Sequence, residues 1–290
     1  MRIFDLFKSK PKKKIPPKKR RIAPPPKPEL PKRPIDIPPN EKTVDKIVAR
    51  QNPEKEFLKI FKQLTYRHRP WEIWKSFIIM TACSISNSLD KAHYDEREAL
   101  YLRTIKQYSK KEQILFPELV AWTVMALEEN MEQDFLGRIF MDLNLGNDAG
   151  GQFFTPYSVS GFMAVVGMED VVSVVNRNEY ITINDPCCGS GVLLIASIHE
   201  ARRQLKEVDL NFQNHVLVSG QDIDFITALM CYIQISLLGV AGYFKVGNSL
   251  TDPIRLGDKL DDYWFTPMYF SDIWVTRRLC RKTEQLFERK

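Results

Sequence analysis

Residues 181–191, Ile-Thr-Ile-Asn-Asp-Pro-Cys-Cys-Gly-Ser-Gly, constrain the fold of this chain more than any other stretch. A β-branched run from Tyr180 to Ile183 climbs to Asp185, and the chain then turns through Pro186 and two glycines. An apolar segment, Val192 to Ile198, follows at helical spacing. The pattern predicts a strand, a tight turn and a helix. Gly189 and Gly191 permit positive φ and let a ligand approach the main chain with no Cβ in the way. The helix that follows offers unpaired N–H groups to something negative or polar. Asp185 falls at the carboxyl end of the strand, where open α/β sheets bind their ligands.

The alternation continues downstream. Val216–Ser219 reads as a second strand ending in Gly220-Gln221-Asp222-Ile223-Asp224, Phe225–Leu238 as an apolar helix, and Tyr243–Val246 as a third strand before Gly247-Asn248. An acidic residue closing the second strand suits two sugar hydroxyls; the plain alternative is a solvated strand-end carboxylate. Upstream the period is helical. Phe57, Ile60, Phe61 and Leu64 recur at i, i+3, i+4 and i+7, and Trp71, Trp74, Phe77, Ile78 and Cys83 continue the stripe. Such an aromatic stripe reads as core rather than as a base-stacking platform. Tyr66–Pro70 reads as a basic loop ahead of a helix begun by Pro70. Three segments are expected: a Lys/Pro-rich basic tail (1–42), a helical region of four or five helices (43–145), and an α/β domain (146–290).

The net charge of +6 is a property of the tail. Residues 1–39 hold 13 Lys/Arg against 3 Asp/Glu, a net +10, while the remainder holds 29 against 33, a net −4. Eleven of the 18 prolines lie in residues 8–39. Such a segment cannot bury enough apolar surface to offset its ordering entropy, and proline holds it extended. Its charge suits salt-sensitive, sequence-blind contact with nucleic acid; a solvated spacer or a tether to an acidic partner is the alternative. No apolar run is long enough to span a bilayer, so no membrane role is expected. The five cysteines show no metal-ligand spacing and read as reduced thiols of a cytoplasmic protein, with no metal expected.

Asp185–Gly191, D-P-C-C-G-S-G, resembles motif I of amino-methyltransferases that act on DNA, usually D-P-A-C-G-S-G. About thirty residues upstream, Gly151-Gln152-Phe153-Phe154-Thr155-Pro156 is similar to the G-Q-F-F-T-P segment of type I restriction–modification modification subunits. Asp134–Phe140 resembles the short helix that precedes that segment. The resemblance, over roughly residues 55–250, implies an adenine-N6 DNA methyltransferase with S-adenosyl-L-methionine as cofactor. The fold implied is a Rossmann-like methyltransferase domain, lacking its last strands, behind a helical N-terminal region. Cofactor contacts carried over are Thr155 and Pro156 in the wrapping segment, then Asp185, Pro186, Cys188, Gly189 and Gly191 in the turn. Asp222 takes the ribose, Ile223 lies against the adenine ring, Asn248 pairs with the adenine amino group, and Asp224 is structural.

The family flips its target base from the stack and accepts the amine protons on [D/N/S]-P-P-[Y/F/W]. That tetrapeptide is absent. The nearest match in position is Thr266-Pro267-Met268-Tyr269, where Pro267 would supply a carbonyl, Tyr269 a stacking face and Thr266 an oxygen on a shorter, uncharged side chain. Losing one aimed acceptor costs on the order of 100-fold in rate. Two readings follow: an adenine methyltransferase acting on DNA, or an impaired methylase-like module that binds cofactor or DNA and serves a specificity or second methylase subunit. Methylation of RNA or protein through similar cofactor loops is a third. In having T-P-x-Y at this position the chain resembles some short methylase-like proteins of phages and mobile elements, which stop soon after it.

Overall fold

The structure, a computed structural model, describes residues 52–146, 153–255 and 258–288, with side chains to Cys280. The basic tail and most of the glycine loop before Phe153 lie outside the described residues.

Three parallel strands and one antiparallel strand form a single sheet in the order β1-β2-β3-β4. They are β1 (Ile181–Asp185), β2 (Val216–Asp222), β3 (Ala241–Val246) and β4 (Tyr263–Phe265). Counted in chain order, the helices are α1 (Pro53–Leu64), α2 (Pro70–Leu89), α3 (Tyr94–Ile105), α4 (Lys110–Gln113), α5 (Leu115–Glu129) and α6 (Phe135–Asp142). Then come α7 (Tyr157–Gly167), α8 (Val171–Asn178), α9 (Val192–Lys206), α10 (Phe225–Leu237) and α11 (Asp272–Glu288). Two crossovers, β1-α9-β2 and β2-α10-β3, make the parallel part, as the alternating sequence pattern requires. Register pairs Asp185 with Gly220 and Asp222 with Val246, so the tips of all three parallel strands share one edge.

Local sequence sets the helix limits. Asn52 caps α1 by accepting from the Lys55 amide at 3.0 Å, with Pro53 at the first helical position. Pro70 begins α2 as expected. Asp224 caps α10, its Oδ1 accepting from both the amide and the hydroxyl of Thr227 at 2.8 Å, which is the structural role read for it.

The predicted aromatic stripe is core. Phe57 of α1 meets Phe77 of α2 at 5.4 Å and Phe135 of α6 at 5.7 Å, edge to face in both cases. Trp74 and Phe140 stand 6.0 Å apart across α2 and α6. This helical layer reaches the sheet through α10, where eleven of thirteen residues are buried. Each large apolar side chain so buried is worth about 1.5–3 kcal/mol. A second link runs to β4. The buried Arg97 guanidinium stacks 4.0 Å above the Trp264 ring, pairs with Asp90 at 2.8 Å and donates to the Tyr263 carbonyl. A buried charge needs such partners to be tolerated.

The opposite face of the sheet is polar towards the carboxyl tips of the parallel strands and aromatic towards β4. Ser219 donates to Asn184, Gln221 donates to the Asp252 carbonyl, and Lys245 pairs with Asp252 and Asp258 at 2.9 and 3.1 Å. The segment after β3 is thereby tied down over β2 and β3, while Thr182 and Asn184 of β1 remain exposed.

Candidate functional site at the strand tips

The turn after β1 is built as its glycines require. Gly189 takes φ +55° and Gly191 φ +100°, both left-handed. At Gly191 a Cβ would meet the Cys231 Sγ at 2.7 Å, so α10 also packs too closely for any side chain there.

Four of the five backbone amides of the turn, however, are bonded inside the protein. The Cys187 amide donates to Asp185 Oδ1 at 3.0 Å, Cys188 to the Gln221 carbonyl at 2.9 Å, Gly189 to Asp222 Oδ2 at 2.9 Å, and Gly191 to the Cys188 carbonyl at 2.8 Å. The helix after the turn, α9, has no side-chain cap at Gly191, so the amides expected to be offered to a ligand are those of its first residues rather than of the turn. What the turn presents is space and two carboxylates on adjacent strand tips. Burial pushes the Asp185 carboxyl above the usual carboxylate range, the Cys187 amide pulls it back, and Asp222 nearby adds repulsion. Two close carboxylates disfavour a phosphate and favour a cation or hydroxyl donors.

Around these tips the structure places most of the expected cofactor residues. Asp222 Oδ1 accepts from the Asp224 amide at 2.9 Å, so both its oxygens are oriented, each retaining acceptor capacity. Ile223 is 69% exposed, an apolar side chain standing out at the β2 tip. Asn248, just after β3, uses Oδ1 to accept from the Leu250 and Thr251 amides at 2.9 and 3.4 Å. The carbonyl expected to take an adenine amino group is thus already engaged in a turn. Phe154 lies over Gly189, its ring about 3.5 Å from where a Cβ would stand, and packs against Phe140 at 5.0 Å. The wrapping segment therefore does reach the turn, with Thr155 and Pro156 exposed beside it. Pro186 is exposed, whereas the Cys188 side chain is buried towards Gly220 rather than the cleft.

Thr266, Pro267 and Tyr269 are elsewhere. β4 runs antiparallel to β3, with Phe265 opposite Tyr243, so the chain leaves β4 at the amino end of the parallel strands. Thr266 is fully buried there; its hydroxyl donates to the Val240 carbonyl and accepts from the Gly242 amide, both at 2.8 Å. The five-residue step from Gly242 to Gly247 spans about 16 Å at ~3.3 Å per residue. Tyr269 lies under the Arg278 guanidinium at 3.8 Å and beside Phe265 at 4.8 Å. The expected base-binding residues are thus not brought to the carboxylate tips, because the preceding strand points the other way.

Three side chains behind the turn had no role in the sequence reading. Asp134, Ser190 and Gln234 form a buried polar cluster. The available signal was a lone Gln inside the apolar run 225–238. A groove of about 990 Å³ also runs along the outer edge of β1, from Met163 and Ala164 past Thr182 and Asn184 to Asp185. Phe162 and Val166 of the neighbouring α7 are 70% and 69% exposed.

Comparison with known proteins agrees with the motif reading. Over 158 residues the chain is 23% identical to the type I restriction enzyme MjaIX methylase subunit of Methanocaldococcus jannaschii, covering 52% of this chain and 26% of that subunit. The chain therefore spans about a quarter of the length of that curated relative. Among solved structures, a protein of Listeria monocytogenes described as a class I S-adenosylmethionine-dependent methyltransferase aligns with a TM-score of 0.38 at 16% identity, covering 71% of this chain and 56% of that one. A type I restriction–modification methyltransferase subunit from Streptococcus thermophilus aligns with a TM-score of 0.33 at 18% identity, covering 74% and 48%. Residues 134–289, from the cap of α6 through β1, the turn and all later strands, match one family over more than half of the sequence, and the chain belongs to the N-6 DNA Methylase family.

Proposed function

We propose that this protein holds S-adenosyl-L-methionine at the tips of β1 and β2 and acts as the cofactor-binding component of an adenine-N6 DNA methyltransferase of restriction–modification type. The observation that carries this reading is the pairing of two carboxylates, Asp185 and Asp222, around a glycine turn four of whose five amides are bonded within the protein. Two carboxylates facing one turn disfavour the phosphates of a dinucleotide. A ligand with a sulfonium, an ammonium and two ribose hydroxyls needs carboxylates, and these residues fit it. Asp222 would accept from the ribose, Asp185 would face the cationic methionine end, and exposed Ile223 would cover the adenine. When bound, the cofactor supplies an electrophilic methyl group.

The chain's own contribution is to bind and orient. Phe154, braced by Phe140, covers Gly189 from one side. Asp185, disfavoured as a buried anion, gains from a cation placed beside it. The acceptors for the adenine amine are not assigned to Thr266 or Pro267, which lie at the far end of β3. In this proposal a partner polypeptide, a specificity or second methylase subunit, brings them to the cleft with DNA.

Calorimetric titration of the full chain with S-adenosyl-L-methionine tests the reading. Saturable binding lost in Asp185→Ala supports it; no heat at millimolar cofactor overturns it. Adenine methylation of DNA by the isolated chain would show that no partner is required.

A further inference from the structure

Asp134 precedes α6, Ser190 sits in the turn and Gln234 lies in α10, yet the three meet behind the glycine turn. Ser190 and Gln234 are fully buried and Asp134 is 7% exposed. The Ser190 hydroxyl donates to Asp134 Oδ2. Gln234 Nε2 donates to Asp134 Oδ1 at 2.8 Å and to the Ser190 carbonyl at 2.9 Å, while its Oε1 accepts from the Leu136 amide at 3.0 Å. Asp134 Oδ1 also accepts from the Gly137 amide at 2.8 Å. Ser190 is thus gripped through both its hydroxyl and its carbonyl, between the two left-handed glycines of the turn.

Capping α6 does not account for this arrangement. Asp170 caps α8 with its own carboxylate and does so while exposed. A carboxylate withdrawn from water is costly unless its partners compensate, and here burial pushes the Asp134 carboxyl up. Gly137 supplies the room. A Cβ on it would come 2.0 Å from Asp134 Oδ2 and 2.7 Å from the Ser190 hydroxyl oxygen. The spacing Asp134-Phe135-Leu136-Gly137 therefore turns the carboxylate out of its own helix and into the β1–α9 turn. The same helix carries Phe140, the brace for Phe154 over Gly189.

We propose that Asp134 is a positioning residue for the cofactor turn. Acting through Ser190, with Gln234 as its second arm, it fixes the backbone path from Asp185 to Gly191 before any ligand arrives. The inference rests on the reading of that turn as the cofactor site. A turn held in its bound path loses less freedom on binding, and affinity rises accordingly.

The test uses the full chain and two readouts: S-adenosyl-L-methionine affinity by calorimetry, and deuterium uptake across residues 185–192 without cofactor. Asp134→Ala is expected to speed uptake in the turn and to weaken binding about tenfold or more. Asp134→Asn is expected to restore binding to within about threefold, since its carbonyl keeps the Gly137 and Gln234 bonds and its amide can donate to the Ser190 oxygen. Leu119→Ala, in the fully buried core of α5, is the control: a lower Tm with neither readout changed. If Asp134→Ala does not fold, Ser190→Ala is measured in its place and is expected to move both readouts the same way. Turn exchange unchanged in a folded variant, or raised equally by Leu119→Ala, overturns the proposal. Wild-type protein that ignores the cofactor while Asp134→Ala still loosens the turn would sink the proposed function and leave the clamp standing. Wild-type binding with an equally tight variant and unchanged exchange would do the reverse.

Discussion

The amide of Gly189 donates to Asp222 Oδ2 at 2.9 Å, so the turn after β1 and the tip of β2 form one hydrogen-bonded unit. Asp222→Ala removes that bond together with the charge-assisted contact proposed for the ribose. Such a contact is worth about 1.5–3 kcal/mol, and cofactor affinity should fall about tenfold or more. Titration calorimetry reads this directly. Equal affinity in the variant would move the ribose contact to another residue.

Thr266 joins β3 to the chain leaving β4 through two buried bonds. Thr266→Val, equal in size but without the hydroxyl, leaves the Gly242 amide and the Val240 carbonyl without that partner. The expected loss is about 1–3 kcal/mol in urea unfolding, with Thr266→Ser closer to wild type. Cofactor affinity should be unchanged, because the residue stands at the far end of the sheet. A selective loss of binding would restore a role for Thr266 in the cleft.

Legibility divides along the same line. The three parallel strands, the glycine turn and the carboxylates at the tips were readable because period-2 apolar runs, Gly pairs and strand-end acids are local signals. The direction of β4 was not: Tyr263-Trp264-Phe265 has the same composition in either orientation, and only pairing with Tyr243–Lys245 decides it. The polar cluster was hidden too, since Asp134 and Gln234 are 100 residues apart. Nor could the sequence reveal that the Cys188 and Gly189 amides are consumed internally, which depends on where β2 carries Gln221 and Asp222.

Asp185 should make cofactor binding sensitive to acid. Burial holds its carboxyl above the ordinary 3.8, so it protonates at a higher pH than a free Asp as the solution is acidified. Binding that uses the ionised form is full above that raised value and falls as pH drops through it. Stability has the opposite sign. The folded protein binds this proton more tightly than the unfolded chain, so the stabilisation is fully present below 3.8 and is lost as pH rises through the folded value. Calorimetry and thermal melts of wild type against Asp185→Asn, across the acid range, should show both trends weakened in the variant, with Asp134 supplying what remains of the stability trend.

The basic tail lies outside the described residues, and its charge alone makes a prediction. Deleting residues 8–39 should flatten the salt dependence of DNA binding and leave cofactor affinity as it was. Filter binding across a salt series measures the slope. An unchanged slope would assign the tail to something other than phosphate contact.

The burial of α10 has a mechanical consequence. Its one side faces β2 and β3 and its other side faces α2, so neither the helical layer nor the sheet owns it. Pulling the two apart would expose Leu229, Met230, Tyr232 and Ile233 at once, all of them fully buried. Melting of the described body should accordingly be all-or-none, with aromatic fluorescence from Trp74 and far-ultraviolet dichroism tracing one superimposable curve.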